Sequence, residues 1–420
     1  MKIIKGKYNE AKVFTDTISE FCIEQIKELL DLEVFKDTKI RIMPDCHTGA
    51  SCVIGFTANL GDKVIPNIVG VDIGCGMHTV ELGKIDIDFE RLDQVIRKYI
   101  PSGREVHEGR LMKFSELESM CCYRELNDVK RLKRSIGTLG SGNHFIEIDK
   151  DEDDNKYLVI HTGSRHLGKQ TAEIYQKMAI GLHTGKEKLW EDKERLIREY
   201  KEAGRRSEIQ EALKELNRQF RQTAPDLPHE YCFLHGKFTE QYLHDMKICQ
   251  QFADENRKMI AKLIIDNYGF TPLGEFTTVH NYIDHESNII RKGAISAKEG
   301  EKVIIPINMR DGSLICIGKG NKDWNESAPH GAGRIHSRRD AKRLFTVEEY
   351  EKVMRDANIF STSINKATID ECPMAYKNID DIVNNIGDTV EIISHIKPIY
   401  NFKAGDDEPS WVKDKKVKDE

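Results

Sequence analysis

Val69-Gly70-Val71-Asp72-Ile73-Gly74-Cys75-Gly76-Met77 gathers three glycines, a carboxylate and a thiol into one short stretch bounded by apolar side chains. Residues 64–82 around it read as two strands joined by a glycine turn. Asp72 and Cys75 stand three residues apart, and the flanking glycines let the backbone fold both side chains toward one point. A carboxylate and a thiolate so placed can share a cation. The alternative is a buried free cysteine near a turn aspartate.

Upstream, Thr15 to Leu32 has helical spacing, and Lys39 to Met43 and Cys52 to Thr57 are β-like. Downstream, Phe89 to Ile100 has helical periodicity, while Phe145 to Asp149 and Tyr157 to His161 read as buried strands. From Gln170 to about Asn267 the character changes. Glu187 to Arg221 is mostly charged, and Phe238 to Ile265 repeats apolar residues at helical intervals, with Gly204 and Pro225/Pro228 as punctuation. Short strands return at Phe276 to Tyr282, Lys302 to Ile307 and Leu314 to Ile317. Helices come next near Ser337 to Leu344, Val347 to Ala357 and Ile379 to Asn385, then a strand at Val390 to Lys397. Glycine-flanked motifs lie on both sides of the helical block, so one site built from both requires both flanks to fold together. The expected fold is mixed α/β (α+β): a single large domain over residues 1–405, sheets flanked by helices, with a long helical insertion at 178–265. Residues 406–420 are expected to form a mobile polar tail.

Composition excludes several classes. In 420 residues no apolar run approaches the ~20 needed to cross a bilayer. The N-terminus carries charge but no apolar core of a secretory leader. The ten cysteines include no CxxC pair, and the vicinal Cys121-Cys122 is too strained for a routine staple. Reduced thiols in a cytoplasmic protein, one or more of them on a metal, are expected. A net charge of −6 disfavours a nucleic-acid binder held by bulk charge, so any polyanion needs a local basic site.

Two further segments place a histidine where a β-like run meets a glycine loop: Gly140-Ser141-Gly142-Asn143-His144-Phe145-Ile146-Glu147 and His161-Thr162-Gly163-Ser164-Arg165-His166. A third histidine lies in Val279-His280-Asn281-Tyr282. A single strand histidine is more often a satisfied core residue than a ligand. Three of them together with Asp72 and Cys75 point to a metal site of N, S and O donors. Ser327-Ala328-Pro329-His330-Gly331-Ala332-Gly333-Arg334 reads differently, because a densely cationic run comes after it: Arg338, Arg339, Lys342, Arg343. Exposed amides and guanidinium groups there suit a phosphate; a solvated basic helix face is the other reading.

Taken in order, Asp72-Ile73-Gly74-Cys75-Gly76, Gly142-Asn143-His144-Phe145, His161-Thr162-Gly163-Ser164-Arg165, His280-Asn281-Tyr282, His330-Gly331-Ala332-Gly333-Arg334, Ala375-Tyr376-Lys377 and Phe402-Lys403-Ala404-Gly405 resemble the RtcB family of GTP-dependent RNA ligases. Met43-Pro44-Asp45-Cys46-His47-Thr48-Gly49 resembles that family's early Pro-Asp-x-His-x-Gly motif. The resemblance runs from about residue 40 to 405, and the combination of motifs is far more specific than any one of them.

The resemblance implies a cytoplasmic ligase of RNA ends, acting in RNA repair or tRNA splicing with two manganese ions and GTP as co-substrate. His330 matches the histidine that becomes guanylylated. Cys75 would bridge two metals, with Asp72 and His144 completing one site and His161 and His280 the other. Asn143, Glu147, Ser313, Gly331, Ala332, Gly333 and Lys403 match guanylate-binding positions, and Arg165 and Arg334 are assigned to phosphate or RNA. Ligand types alone allow zinc as well as manganese. RNA ends and GTP are the expected partners, an archease-like activator is left open, and no membrane is involved. Two departures stand out. Only Leu314-Ile315-Cys316-Ile317 separates Ser313 from Gly318, without the family's second serine, and His166 replaces a common glycine. The rival readings are a metal-dependent phosphoesterase on cyclic or terminal RNA phosphates and a non-catalytic RNA-end binding protein.

Overall fold

The computed structural model describes residues 1–221 and 223–405; the expected tail at 406–420 lies outside the described residues. Two sheets organise the chain. One has six strands in the order Lys2–Lys5, Glu10–Val13, Ile40–His47, Ile54–Asn59, Ile289–Lys292, Asn281–Asp284. The other has seven, in the order Gly274–Val279, Gly76–Gly83, Lys156–Thr162, Phe145–Lys150, Val390–Lys403, Gly312–Gly318, Lys302–Asn308, with every neighbouring pair antiparallel. This is the mixed α/β architecture expected from the sequence. Among the described residues no helix is long and apolar enough to cross a membrane.

The two-residue period of a strand sorts the seven-stranded sheet into two unlike faces. Val80, Leu82, Ile146, Ile148, Leu158, Ile160, Tyr400 and Phe402 form one apolar face, clustered with Leu92 and Ile96 of helix Phe89–Tyr99 and with Ile260 and Ile264 of helix Lys237–Tyr268. The alternate positions carry His161, Phe145, Glu147, Asn401 and Lys403. Register sets them side by side: His161 opposite Phe145, Phe145 opposite Lys403, Glu147 opposite Asn401. The strand period thus places these candidate side chains on the face opposite the one that these two helices cover.

Helix Lys237–Tyr268 is the spine of the molecule. Phe238, Tyr242, Met246, Cys249 and Phe252 recur every three or four residues and join the core of the six-stranded sheet, while Ile260, Ala261 and Ile264 continue the stripe into the core of the seven-stranded sheet. This revises the helical insertion expected at 178–265. In helix Lys186–Glu202 only Leu189 is buried, and helix Ile209–Gln219 buries none, so the solvated excursion is confined to these two, which pack on each other. Both stretches are helical, but the charged one cannot bury a face and the apolar one must.

Two other expectations change. Residues 65–70 are not a strand: after the two-residue strand Lys63–Val64, Pro66 starts the short helix Pro66–Val69 at a first-turn position suited to proline, and Gly70 ends it. The run Phe276 to Tyr282 is broken at His280. The strand before it belongs to the seven-stranded sheet and the strand after it to the six-stranded one, so His280 sits where the chain crosses between sheets. At the other end, Val390–Lys403 extends beyond the expected limit, through irregularities at Ile315/Cys316 and Pro398/Tyr400, and so carries Lys403 into the sheet.

Candidate active site

The turn after Pro66–Val69 is pinned to the sheet crossover by backbone hydrogen bonds: Gly74 N donates to Asn281 O at 2.7 Å, and His280 N donates to Cys75 O at 2.9 Å. Gly74, with φ +74°, holds the left-handed conformation this requires. Gly163 lies so close to Asp72 that a Cβ there would overlap the Asp72 carboxylate. The turn therefore delivers Asp72 and Cys75 to the histidines of the neighbouring strands. Cys75 Sγ is 3.5 Å from His144 Nε2 and 3.3 Å from His161 Nε2; His161 Nε2 is 3.4 Å from His280 Nε2, and His144 Nε2 is 3.0 Å from Asp72 Oδ2. These donors form two groups that share Cys75, one with Asp72 and His144 and one with His161 and His280, each with its ligand atoms within 4.8 Å of one another.

The donor set fits cations. His144 Nδ1 donates to Leu139 O at 2.9 Å and His161 Nδ1 to Asn143 O at 3.1 Å, which turns each Nε2 lone pair inward, as metal-binding imidazoles require. Burial holds the His161 and His280 imidazoles far below their ordinary range, so both are neutral. His280 Nδ1 has no hydrogen-bond partner among the described residues. Burial, then Asp72, pushes the Cys75 thiol well up. Asp72 is half-buried, and the loss of water alone would raise its carboxyl, but His144, Cys75 and Arg165 bring it down to about 2. Imidazole lone pairs turned inward beside a carboxylate and an ionisable thiol are what a cation would satisfy. Thiolate and imidazole suit zinc, and carboxylate suits manganese.

His330 follows the strand Ser327–Pro329, its ring centre 5.0 Å from that of His280. Its Nδ1 donates to Asp45 Oδ2 at 2.6 Å. Asp45 is completely buried. A carboxylate oxygen accepts, so the contact selects the tautomer with its proton on Nδ1, which in the neutral ring leaves the lone pair on Nε2. The loop that makes this contact is clamped twice. Lys377 Nζ donates to Pro44 O and Cys46 O, both at 3.1 Å, and Gly333, at φ +77°, abuts Asp45 so closely that any Cβ would overlap the Asp45 carbonyl. His47 beside it is half-buried, and the loss of water around its ring brings the imidazole down to about 4.

His161, His280 and His330 open into one cleft of about 1130 Å³, with Asn143, Glu147, Gly331, Ala332, Gly333 and Lys403 also on its walls. Lys403 Nζ reaches Asn143 O at 3.1 Å and Glu371 Oε2 at 3.3 Å. Glu371, 2% exposed, also takes Arg334 at 3.1 Å, Arg338 at 2.9 Å and the Tyr376 hydroxyl at 2.6 Å. Burial opposes its ionisation, but Lys403, Arg338 and Arg334 together bring the carboxyl down to about 2. Glu147 has weaker support from Asn401 and Lys403, so burial raises it to about 7.

Three assignments change in this light. Arg334 lines the cleft, but its guanidinium is already bound to Glu371, Tyr376 and the carbonyls of His336 and Asp370, so it braces the wall. Arg165 lies elsewhere, in a second cavity of about 450 Å³ shared with Asp72, His144, Arg104, Arg131 and His166. Ser313 is 1% exposed, does not line the cleft, and its Oγ has no partner among the described residues, because it sits inside a strand between Pro306 and Ile396. Sequence reasoning left Asp45, Tyr376 and Lys377 without roles although the motifs containing them stood out. Glu371 carried no signal beyond lying just ahead of Ala375-Tyr376-Lys377.

An imidazole bound through Nδ1 to a buried carboxylate, next to two groups of candidate metal ligands and in a cleft wide enough for a nucleotide, is an arrangement suited to phosphoryl transfer. The profile of the tRNA-splicing ligase RtcB family matches residues 25–125 and 122–404, and the chain belongs to that family. It is 30% identical to the RNA-splicing ligase RtcB of Escherichia coli (strain K12), over 87% of this chain and 90% of that one. Similarity extends to the tRNA-splicing ligases RtcB of Nanoarchaeum equitans, at 26% identity over 86% of this chain and 87% of that one, and of Methanococcus maripaludis, at 24% over 96% and 95%.

Proposed function

We propose that this chain is a ligase that joins an RNA 3′-phosphate, or a 2′,3′-cyclic phosphate after hydrolysis, to a 5′-hydroxyl, with GTP as co-substrate. The observation that carries this reading is the 2.6 Å contact between Asp45 Oδ2 and His330 Nδ1, which leaves His330 Nε2 as the free nucleophile of the cleft. Nε2 attacks the α-phosphate of GTP, a phosphorus–nitrogen bond forms and pyrophosphate leaves, while Asp45 stabilises the charge that the imidazole gains. An oxygen of the RNA 3′-phosphate then takes the guanylate from His330. The 5′-hydroxyl attacks the RNA phosphorus, GMP departs, and a phosphodiester remains.

Cys75 with Asp72 and His144, and Cys75 with His161 and His280, would hold two manganese ions. When bound, these supply Lewis-acid polarisation of phosphoryl oxygens. Asn143, Glu147 and Lys403 line the wall that would take the guanylate; Glu147, when ionised, suits the N–H edge of guanine, and Lys403 suits its phosphate. A metal-dependent phosphoesterase would use the same donors but has no need for a histidine held by a buried carboxylate. Incubation with manganese and GTP labelled at the α-phosphate, followed by denaturing electrophoresis, tests the reading. The wild-type chain should carry covalent label and His330→Ala should carry none with its metals retained. Label that persists in His330→Ala would sink the assignment. The joined RNA and any archease-like activator would be identified by ligation assays with and without added partner.

A further inference from the structure

The cleft that holds His330 is larger than one nucleotide needs: about 1130 Å³, above the ~1,000 Å³ upper end of ordinary small-ligand pockets. Its mouth is also built differently from its floor. The floor is histidine, carboxylate and buried lysine. At the mouth stands Phe21, in the first turn of helix Glu20–Leu30. Phe21 is 74% exposed and is the only exposed one of the chain's 16 phenylalanines. Packing does not explain it, because the helix buries Cys22, Ile26, Leu29 and Leu30 and leaves Phe21 off that stripe. Ile335, also exposed, lines the same cleft, as do the exposed Arg338 and Arg339. Arg338 is paired to Asp370 and Glu371, and Arg339 stands next to it on the surface.

An aromatic ring left in water on a cleft that also carries exposed guanidinium groups is the combination that holds single-stranded nucleic acid. The ring offers a stacking face to any base, and the cations take backbone phosphates. We infer that Phe21 is a stacking platform for a nucleobase near the end of the 3′-phosphate RNA strand, with Arg339 at an adjacent backbone phosphate. The inference rests on the ligase reading above and adds to it a base-contacting wall outside the chemistry. Glu147, Lys403 and His330 occupy the floor, where the guanylate would sit, so the base at the mouth belongs to the RNA.

The test compares the manganese-loaded full chain with its Phe21→Ala and Phe21→Trp variants. Each is titrated with an RNA ending in a 3′-phosphate and with the same RNA carrying abasic nucleotides at its last positions. Phe21→Ala should weaken binding of the intact RNA by roughly 5- to 150-fold, and Phe21→Trp should restore it. The abasic RNA should bind wild type and Phe21→Ala alike, and label transfer from GTP to His330, a half-reaction without RNA, should proceed in both. Intact RNA binding Phe21→Ala as tightly as wild type overturns the inference. So does a loss that persists on the abasic RNA, or a loss of His330 labelling in Phe21→Ala, which would put the ring against guanine. A wild-type chain that takes no label overturns the ligase reading and this one with it; normal labelling with base-indifferent binding overturns this one alone.

Discussion

Replacing Asp45 with asparagine probes the nucleophile most directly. The carboxylate is buried, and its Oδ2 accepts from His330 Nδ1 at 2.6 Å. It performs two tasks that can be separated: it fixes the proton on Nδ1, and it offsets the positive charge that the ring gains as Nε2 attacks. A hydrogen bond to a charged partner contributes about 1.5–3 kcal/mol, which corresponds to about 10- to 150-fold in rate. Asp45→Ala, which removes the charge and leaves the ring free to turn, should fall in that range. Asp45→Asn should lose more, beyond about 100-fold, because its amide can donate to Nδ1 and drive the proton to Nε2, where it blocks attack. The assay is single-turnover incorporation of α-labelled guanylate, with metal content and thermal unfolding measured on the same preparations. An Asp45→Asn protein that keeps its metals, unfolds at the wild-type temperature and labels at the wild-type rate would refute the argument.

Because burial and Asp72 hold the Cys75 thiol protonated, a cation must displace that proton, so metal affinity should rise with pH; Cys75→Ser should lose metal and labelling together, and full occupancy by elemental analysis would count against a shared thiolate. Burial sets the Glu147 carboxyl at about 7, so its ionised fraction falls as pH drops below that value; the KM for GTP should climb on the acid side, and Glu147→Gln should flatten the profile. Glu371→Gln would leave the buried Lys403 without its anion, a loss of about 3–5 kcal/mol, measured as a lower denaturant midpoint; an unchanged midpoint would contradict the network. With the cations of the cleft partly neutralised by Asp370 and Glu371, log affinity for single-stranded 3′-phosphate RNA should fall with log salt at a slope of about −2 to −4, at ~0.7 per phosphate; a slope of about −8 would show a long RNA track instead.

Local spacing makes much of this molecule legible. The two-residue period marks Phe145 to Asp149 and Tyr157 to His161 as strands, and the glycines around Asp72 and Cys75 mark a turn that approaches other chain closely. Contacts across distance are not legible. Asp45 and His330 are 285 residues apart, and Lys403 and Asn143 are 260 apart; neither separation leaves a pattern in the sequence. The same blindness makes Arg334 look like a free phosphate ligand, because a cationic run seems available until the acids that fold onto it, 32 and 37 residues further on, are in place. Arg165 carries this point into the site. Charge alone groups it with Arg334, yet it lies in the smaller cavity with Asp72 and His144, whereas Arg334 lies in the cleft with His161 and His280. Cys75 is the donor common to both candidate groups, Asp72 and His144 line the smaller cavity, and His161 and His280 line the cleft, so no single phosphate position answers to both arginines.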